Sequence, residues 1–205
     1  MTAVGREAST RRPGRPRAEG LGERVVAATA ALLLESPDGS TPTVTQIVRR
    51  SGVSRAAIYR RWQAREQIIA EALDSVRDNT PLTVTGDLEA DLLNAYRPPA
   101  DGDDRFDQLV RKRLVLALGD SSLQREYWTA HVSRRRRGMV EAVRRAIEAG
   151  TVRPDVDVDA AIDLVAGVYY YQVAVRGGSL RDAEVRDRVH AAISIACRGL
   201  AVTSP

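Results

Sequence analysis

One segment, residues 43–73, constrains the fold of this 205-residue chain more than any other. It reads TVTQIVRRSGVSRAAIYRRWQAREQIIAEAL, which combines two short helical stretches, a glycine between them and a third stretch with an apolar stripe. The second stretch is crowded with arginine. The pattern therefore predicts two short helices that meet at a tight turn, followed at once by an amphipathic helix that can cover them.

Capping residues predict where the two short helices begin and where the first one ends. Thr43 precedes the first helix, and Gln46 stands three residues later, which is the spacing of a capping box. Gly52 can take the left-handed backbone conformation that ends a helix tightly, and Ser54 can cap the next helix. These signals favour a helix-turn-helix, with an ordinary helical hairpin carrying solvated arginines as the alternative.

The outer face of the second short helix carries the residue types that DNA recognition requires. Ile58 is predicted to be buried, with Tyr59 and Trp62 partly buried beside it. Arginine is suited to the O6 and N7 atoms of guanine, a small side chain can meet a thymine methyl group, and hydroxyl groups can hold phosphates. The candidate DNA-contacting residues of this segment are Thr43, Thr45, Ser54, Arg55, Ala56, Ala57, Tyr59, Arg60, Arg61 and Arg65.

The excess positive charge lies entirely in the N-terminal part of the chain. The formal net charge is +4; residues 1–80 hold 13 Arg against 9 Asp and Glu, whereas residues 81–205 hold 18 basic and 18 acidic residues. An asymmetry of this kind indicates that the N-terminal part contacts a polyanion.

Residues 1–19 are predicted to form a flexible basic arm. The run RRPGRPR at residues 11–17 resembles an AT-hook, whose Gly-Arg-Pro core lies in a narrow A·T minor groove. Arg15 and Arg17 would meet the enhanced negative potential of such a groove. A solvated, disordered tail is the alternative, since such tails are common at chain termini.

These features together resemble the DNA-binding domain of the tetracycline-repressor (TetR) family of bacterial regulators. That family shows a threonine-led helix, a Gly-Val-Ser turn, small residues and a Tyr-x-x-aromatic core. The same features stand here at residues 43–47, 52–54, 56–57 and 59–62. The resemblance covers about residues 21–75 without gaps, and it implies DNA binding.

The chain departs from the pattern of the family at two positions. Trp62 stands where phenylalanine is usual and keeps the apolar role, whereas Arg65 stands where lysine is usual and keeps the charge with a different geometry. The resemblance implies an N-terminal helix-turn-helix domain over residues 20–78. It also implies a larger helical domain for ligand binding and dimerisation over residues 79–205.

The remaining chain predicts helices throughout. Sustained alternation of apolar and polar residues is absent from the sequence, so we predict an all-α fold. The predicted helices after the first domain lie at residues 87–96, 106–118, 123–149, 158–176 and 180–200.

Two sets of residues in the C-terminal part carry further expectations. The resemblance implies that the last two helices pair with those of a second subunit. The predicted interface residues are Ile162, Val165, Val173, Val189, Ile193, Ala196 and Leu200. The predicted ligand-pocket residues are Leu114, Leu118, Trp128, His131, Val132, Tyr169 and Tyr170. Ordinary protein core is the alternative for both sets.

The four consecutive arginines at residues 134–137 could form a second nucleic-acid patch. Consecutive helical residues point around most of the helix, however, and the zero charge balance of this part indicates local acidic partners. A solvated face is therefore favoured over a nucleic-acid patch.

Other functional classes lack support in the sequence. It shows no Ser-His-Asp set, no glycine-rich phosphate loop, no metal-ligand spacing and only one cysteine, Cys197. No run approaches the roughly 18 apolar residues of a membrane span, and the basic N-terminus is not followed by the apolar stretch of a secretory signal. We therefore expect no enzyme, no metal, no membrane contact and no cofactor apart from an unknown small-molecule effector. A cytoplasmic protein, associated with the nucleoid when bound to DNA, is expected.

The leading hypothesis is a ligand-responsive transcriptional repressor that binds a palindromic operator as a homodimer. One alternative is an architectural protein that coats DNA without an effector. The other is a small-molecule-binding or enzymatic protein with a vestigial DNA domain. The residues do not identify the effector, the operator sequence or the regulated genes.

Overall fold

The computed structural model describes residues 20–36, 39–77, 79–97 and 104–202, and these residues form an all-helical fold, as predicted. In chain order the α-helices are α1 (Leu21–Glu35), α2 (Val44–Ser51), α3 (Arg55–Tyr59), α4 (Arg65–Asp74), α5 (Leu88–Ala95), α6 (Arg105–Gly119), α7 (Ser121–Tyr127), α8 (Ser133–Glu148), α9 (Val158–Tyr170) and α10 (Ala183–Leu200). A π-helical turn at Trp128–Val132 joins α7 to α8, and another at Tyr171–Val175 extends α9.

The capping signals of the sequence operate as predicted. The Gln46 backbone N–H donates to the Thr43 hydroxyl oxygen at 3.3 Å, and the Thr43 backbone N–H donates to Gln46 Oε1 at 2.8 Å. Gly52 ends α2 with a φ of 68°, which a side chain would strain. Ser54 caps α3 by accepting from the Ala57 backbone N–H at 3.3 Å. These caps hold α2 and α3 in a fixed relation.

Three apolar clusters hold the helices together, and the first lies entirely in the N-terminal domain. Its buried members come from α1 to α4 and the turns between them. They are Val25, Ile47, Val53, Ile58, Trp62 and Ile68. Burial of each large aliphatic side chain contributes about 1.5–3 kcal/mol, so this cluster fixes the position of the two short helices.

The second cluster crosses the predicted domain boundary between residues 78 and 79. It joins α1 and α4 of the N-terminal domain to α6 and α7 of the C-terminal domain. Its large members are Leu33, Ile69, Leu73, Leu109, Leu116, Leu123 and Tyr127. The third cluster is the core of the C-terminal domain and includes Phe106, Met139, Ile162, Tyr169 and Ile193. Because the second cluster is continuous, α4 cannot move without disturbing its neighbours in the C-terminal domain.

The residues predicted to face a partner subunit form the protomer core instead. Six of the seven are at most 9% exposed: Ile162, Val165, Val173, Val189, Ile193 and Ala196. Only Leu200 is partly exposed. The prediction was wrong for these six residues, because α9 and α10 are apolar on two faces and this face is covered by the rest of the protomer. The opposite face exposes Leu164, Tyr171, Val175 and Ile195.

The stretch Val158–Val175 reaches a mean hydropathy of 1.2, and by length and composition it is long and apolar enough to cross a membrane. The stretch is not an unbroken apolar run, because Asp159, Asp163 and Gln172 interrupt it. One third of the stretch is buried inside the protomer. Its charged residues, Asp159 and Asp163, both pair with Arg136 of α8, so the helix is tied into the C-terminal domain.

Candidate nucleic-acid interface and the cavity behind it

Five exposed side chains cover the outer side of α2 and α3. They are Thr45, Arg55, Ala56, Tyr59 and Arg60, which we call the recognition surface. Arg55 Nη2 donates to the Thr45 hydroxyl at 2.8 Å, so one residue from each helix is joined on this surface. Both Tyr59 and Trp62 were predicted to be partly buried. Tyr59 is 46% exposed, whereas Trp62 is only 5% exposed and is therefore buried more fully than predicted.

The two arginines of the recognition surface carry uncompensated charge. In the part of the chain that the structure describes, neither Arg55 nor Arg60 forms an ion pair with a carboxylate. Arg50 on α2 differs, because its Nη2 lies 2.5 Å from Glu35 Oε1. The recognition surface therefore offers two free positive charges to an anionic partner, which is the electrostatic requirement for binding a phosphate backbone or a guanine edge.

Three other predicted DNA contacts lie at the start of α2 and α3. The Thr43 hydroxyl donates to Gln46 Oε1 at 2.8 Å, so its hydrogen is already used within the capping box. The Ser54 hydroxyl oxygen accepts a backbone N–H, which leaves its hydrogen for a phosphate. Ala57 is half-buried and packs on the first cluster, so its methyl group faces the N-terminal core more than the solvent.

Arg61 is held at the junction of α1 and α4 and away from the Arg55–Thr45 pair. Its guanidinium lies 3.8 Å from Glu71 Oε1 and 5.2 Å from the centre of the Trp62 ring. A Cβ atom at Gly22 would lie 2.8 Å from Arg61 Cζ, so a larger residue there would displace the guanidinium from α1. Trp62 Nε1 also donates to Glu71 at 2.6 Å. Arg61 thus lies between Gly22 of α1 and Glu71 of α4.

The remaining predicted DNA contacts lie outside this surface. Arg65 begins α4 and pairs with Glu66 at 3.2 Å, so part of its charge is compensated locally. Arg15 and Arg17 lie outside the described residues. The minor-groove contact of the arm stays a prediction.

A cavity of about 1870 Å³ lies behind the N-terminal domain. All seven residues predicted to form a ligand pocket line it: Leu114, Leu118, Trp128, His131, Val132, Tyr169 and Tyr170. Leu118 is 92% exposed and therefore stands at the rim. Trp128, His131 and Val132 belong to the π-helical turn, and such turns are common at functional sites because they re-aim side chains.

A buried carboxylate ties α4 to the wall of the cavity. Asp74, at the last turn of α4, is 1% exposed. Its Oδ1 accepts a hydrogen bond from the Tyr127 hydroxyl at 2.8 Å and another from Arg135 Nη1 at 2.5 Å. His131 Nδ1 lies 3.1 Å from its Oδ2. One side chain of the N-terminal domain is therefore held by α7, the π-helical turn and α8.

The surroundings of Asp74 keep it ionised. Burial by itself raises the pKa of this carboxyl, but the hydrogen bond with His131 and the charge of Arg135 outweigh burial and hold the pKa well below its usual range. An ionised Asp74 retains all three partners at neutral pH, so the link between the domains is charged and persistent.

The arginine run at residues 134–137 divides between the interior and the surface. Arg136 is 8% exposed and lies 2.9 Å from Asp159 and 2.5 Å from Asp163, while Arg135 reaches Asp74. The local acidic partners expected for this run are confirmed for Arg136, whereas the partner of Arg135 is Asp74 of the N-terminal domain. The expectation of a solvated face is wrong for Arg135 and Arg136 and holds for the other two arginines, which are exposed.

Sequence reasoning missed three charged residues of the cavity region: Asp74, Arg77 and Arg113. A signal was present for Arg113, which interrupts the apolar stripe of Phe106, Leu109 and Leu116 on α6. A lone charge on the buried face of a helix indicates a specific partner, because burial of an unpaired charge is costly.

The two halves of the chain match two descriptions of known families. Residues 26–72 match "Bacterial regulatory proteins, tetR family", and residues 82–192, which are more than half of the chain, match "Tetracyclin repressor-like, C-terminal domain". The first match contains the recognition surface, and the second contains most of the cavity wall.

Similar proteins carry related descriptions. The uncharacterized HTH-type transcriptional regulator YdeS of Bacillus subtilis (strain 168) is 29% identical over 178 residues, which are 86% of this chain and 89% of YdeS. The crystal structure of the TetR family transcription regulator SCO0332 superposes with a TM-score of 0.61 at 25% identity, covering 91% of this chain and all of that one. TylP, a TetR regulator from Streptomyces fradiae, gives a TM-score of 0.54 at 25% identity, with 88% and 79% of the two chains covered.

Proposed function

This chain belongs to the TetR family of helix-turn-helix transcriptional regulators, and we propose that it is a ligand-responsive repressor that binds a palindromic operator as a homodimer. The observation that carries the proposal is the link between the two sites. An exposed, uncompensated basic surface for DNA and a large cavity are joined by one buried carboxylate, Asp74. The effector is a small molecule, and a regulator acting at DNA works in the cytoplasm.

The size of the recognition surface supports two copies of the chain on DNA. Five exposed side chains on two short helices read only a few base pairs, so a second half-site is needed for specificity. A two-fold dimer places its two recognition helices in successive major grooves, about 34 Å apart. The operator is accordingly a palindrome with half-sites one helical turn apart.

The outer face of the last two helices supports the dimer. Leu164, Tyr171, Val175 and Ile195 are between 51% and 66% exposed. Large apolar side chains exposed together on neighbouring helices mark an interaction surface. A second copy of the chain suits this face, because dimers of two-fold symmetry pair the same surface with itself.

The Asp74 contacts support the response to a ligand. The partners of Asp74 come from α7, the π-helical turn and α8, and His131 and Arg135 also line the cavity. A molecule in the cavity that favours a different arrangement of these partners shifts α4, and α4 packs directly against α1 of the DNA-binding domain. Release from DNA then requires that the ligand bind the shifted arrangement more tightly than the DNA-bound one.

Selection of bound duplexes from a random DNA pool, followed by footprinting, tests the DNA part of the proposal. One short palindrome protected over two half-sites is the expected result. Broad protection of A·T-rich DNA would instead support an architectural protein, and no salt-dependent binding to any duplex would support a vestigial DNA domain.

Sedimentation equilibrium tests the dimer. The wild-type chain is expected at twice its monomer mass, and Leu164→Glu together with Ile195→Glu is expected to give monomers, because two charges cannot be buried unpaired. Val115→Glu is the matched control, since Val115 is 59% exposed on α6 and lies outside this face. A double variant that stays dimeric would place the interface elsewhere.

A further inference from the structure

The cavity gathers most of the aromatic side chains in a chain that has few. Aromatic residues make up only 4% of the sequence. Six of the nine line this one cavity: Trp62, Tyr96, Phe106, Trp128, Tyr169 and Tyr170. Aromatic walls favour aromatic occupants, because offset and edge-to-face ring contacts add to the apolar area that is buried.

A buried cation stands in the same wall. Arg113 of α6 is 7% exposed, and its guanidinium carbon lies 4.6 Å from the centre of the Tyr127 ring and 5.4 Å from that of Tyr170. Its Nη1 donates to the Tyr170 hydroxyl at 2.8 Å. The two rings fix the direction of the guanidinium and leave the charge itself uncompensated.

The charge of Arg113 has no anionic counterpart among the described residues. No carboxylate there forms an ion pair with it, and its Nε, which is buried, has no hydrogen-bond partner. Burial of an unpaired cation is costly, so such a group is retained where an anion arrives to pair with it.

Three more buried side-chain atoms of the cavity wall have no hydrogen-bond partner: Arg77 Nε, the Tyr169 hydroxyl and Gln124 Oε1. Arg77 Nε has no hydrogen-bond partner, and the nearest Asp74 oxygen, 3.9 Å away, is already held by Tyr127 and Arg135. The Tyr169 hydroxyl is also buried without a partner. Two guanidinium groups and a phenol in one aromatic cavity are an unfilled set of donors.

We propose that the effector is an aromatic carboxylate, whose carboxylate pairs with Arg113 and Arg77 and whose ring packs among the cavity tyrosines. This inference rests on the proposed function, since it names the class of the effector. A neutral aromatic compound would leave Arg113 without an anionic partner and Arg77 with only its 3.9 Å contact to Asp74. A cationic one would be repelled by them, because Asp74, the buried carboxylate nearby, already lies against Tyr127, Arg135, His131 and Arg77.

Tyr127 connects this anion site to the DNA-binding domain. Its ring faces Arg113, and its hydroxyl donates to Asp74 of α4. A carboxylate that draws Arg113 or Arg77 toward itself changes the packing of the Tyr127 ring and the charge around Asp74. The occupied and empty cavities therefore favour different positions of α4, which is the differential affinity that release from DNA requires.

Calorimetric titration with matched acid and amide pairs tests the proposal. The probes are 1-naphthoate, 2-naphthoate and biphenyl-4-carboxylate, each compared with its neutral amide. At least one acid is expected to bind at least about tenfold more tightly than its amide, since a charge-assisted contact contributes on the order of one factor of ten or more. Arg113→Gln is expected to remove that preference, and Arg113→Lys is expected to keep part of it.

Arg144→Gln is the matched control, because Arg144 is an exposed arginine of α8 and is expected to leave the preference unchanged. Thermal unfolding verifies that Arg113→Gln is folded, and removal of the unpaired charge is expected to leave its melting temperature equal or higher. Equal binding of acid and amide, binding of none of the three acids, or an unchanged preference in Arg113→Gln would each overturn the proposal.

A gel shift on the selected DNA separates this inference from the function on which it rests. Release of DNA by the acid that binds supports both. Binding of the acid through Arg113 without release of DNA supports the anion site and contradicts the ligand-responsive repressor.

Discussion

Arginine has opposite roles in the two domains of this protein. On the recognition surface, Arg55 and Arg60 are exposed and have no carboxylate partner among the described residues. Around the cavity, Arg113 and Arg136 are buried, the first against tyrosine rings and the second between two aspartates. Arginine thus faces an external polyanion on the recognition surface. Around the cavity it either pairs with buried or neighbouring carboxylates or stays available to an anion that enters.

This difference shows that charge count alone does not locate function. The C-terminal domain has as many basic residues as acidic ones, yet it buries several of its charges, whereas Arg55 and Arg60 of the N-terminal domain are exposed. Interactions between surface charges are screened by salt over about 10 Å, and each surface ion pair contributes little to stability. Interactions between buried charges are screened much less, so removal of one partner lowers the free energy of unfolding.

We expect the largest change among the buried charges of the cavity region. Asp74→Asn is expected to lower the free energy of unfolding by about 3 kcal/mol, because Arg135 and Arg77 lose the carboxylate beside them. Urea denaturation measures this change. Asp155→Asn is the control, since the side chain of Asp155 is 77% exposed and 4.0 Å from Arg153.

The pH dependence of that loss checks its cause. The pKa of Asp74 is depressed on folding, so its stabilisation is present above the ordinary carboxyl pKa of about 4 and fades as the pH falls below it. The gap between wild type and Asp74→Asn should therefore shrink in acid. A gap that is constant from pH 7 to pH 3 would mean that shape, and not charge, holds the Asp74 site together.

We expect the next largest change at the exposed arginines of the recognition surface. Arg55→Ala is expected to weaken binding to the selected site by about 2 kcal/mol and to relax the preference at one base position in each half-site. Binding selections repeated with the variant measure this. Equal weakening on every DNA sequence would show that Arg55 contacts a phosphate and not a base.

Removal of residues 1–17 is expected to have a smaller effect on specific binding. Five arginines leave with this segment, so affinity should fall about tenfold and the slope of log affinity against log salt should flatten by about two. Titrations at two salt concentrations measure both quantities. Unchanged affinity at both concentrations would favour the solvated tail over minor-groove contact.

The smallest effect is expected at the Tyr59 hydroxyl. Tyr59→Phe should weaken binding by about 1 kcal/mol to a similar degree on all sequences, because a phosphate contact carries no base information. Fluorescence anisotropy with selected and scrambled duplexes measures it. A loss confined to the selected duplex would assign Tyr59 to base recognition.

Local signals predicted the N-terminal domain well, and long-range contacts explain what was missed. Thr43, Gly52 and Ser54 act within a few residues of themselves, so their spacing alone predicts their caps. Asp74 is defined by Tyr127 and Arg135, which lie 53 and 61 residues away in the chain. No local pattern encodes such a pairing. The two apolar faces of α9 likewise become distinct only once one of them is packed.

We propose that the exposed arginines of the recognition surface, and not those of the C-terminal domain, bind DNA. Affinity for the selected duplex should be compared between Arg55→Ala/Arg60→Ala and Arg134→Ala/Arg137→Ala, since all four side chains are exposed. We expect a loss of about 100-fold or more for the first pair and less than about twofold for the second. Similar losses for both pairs would contradict it.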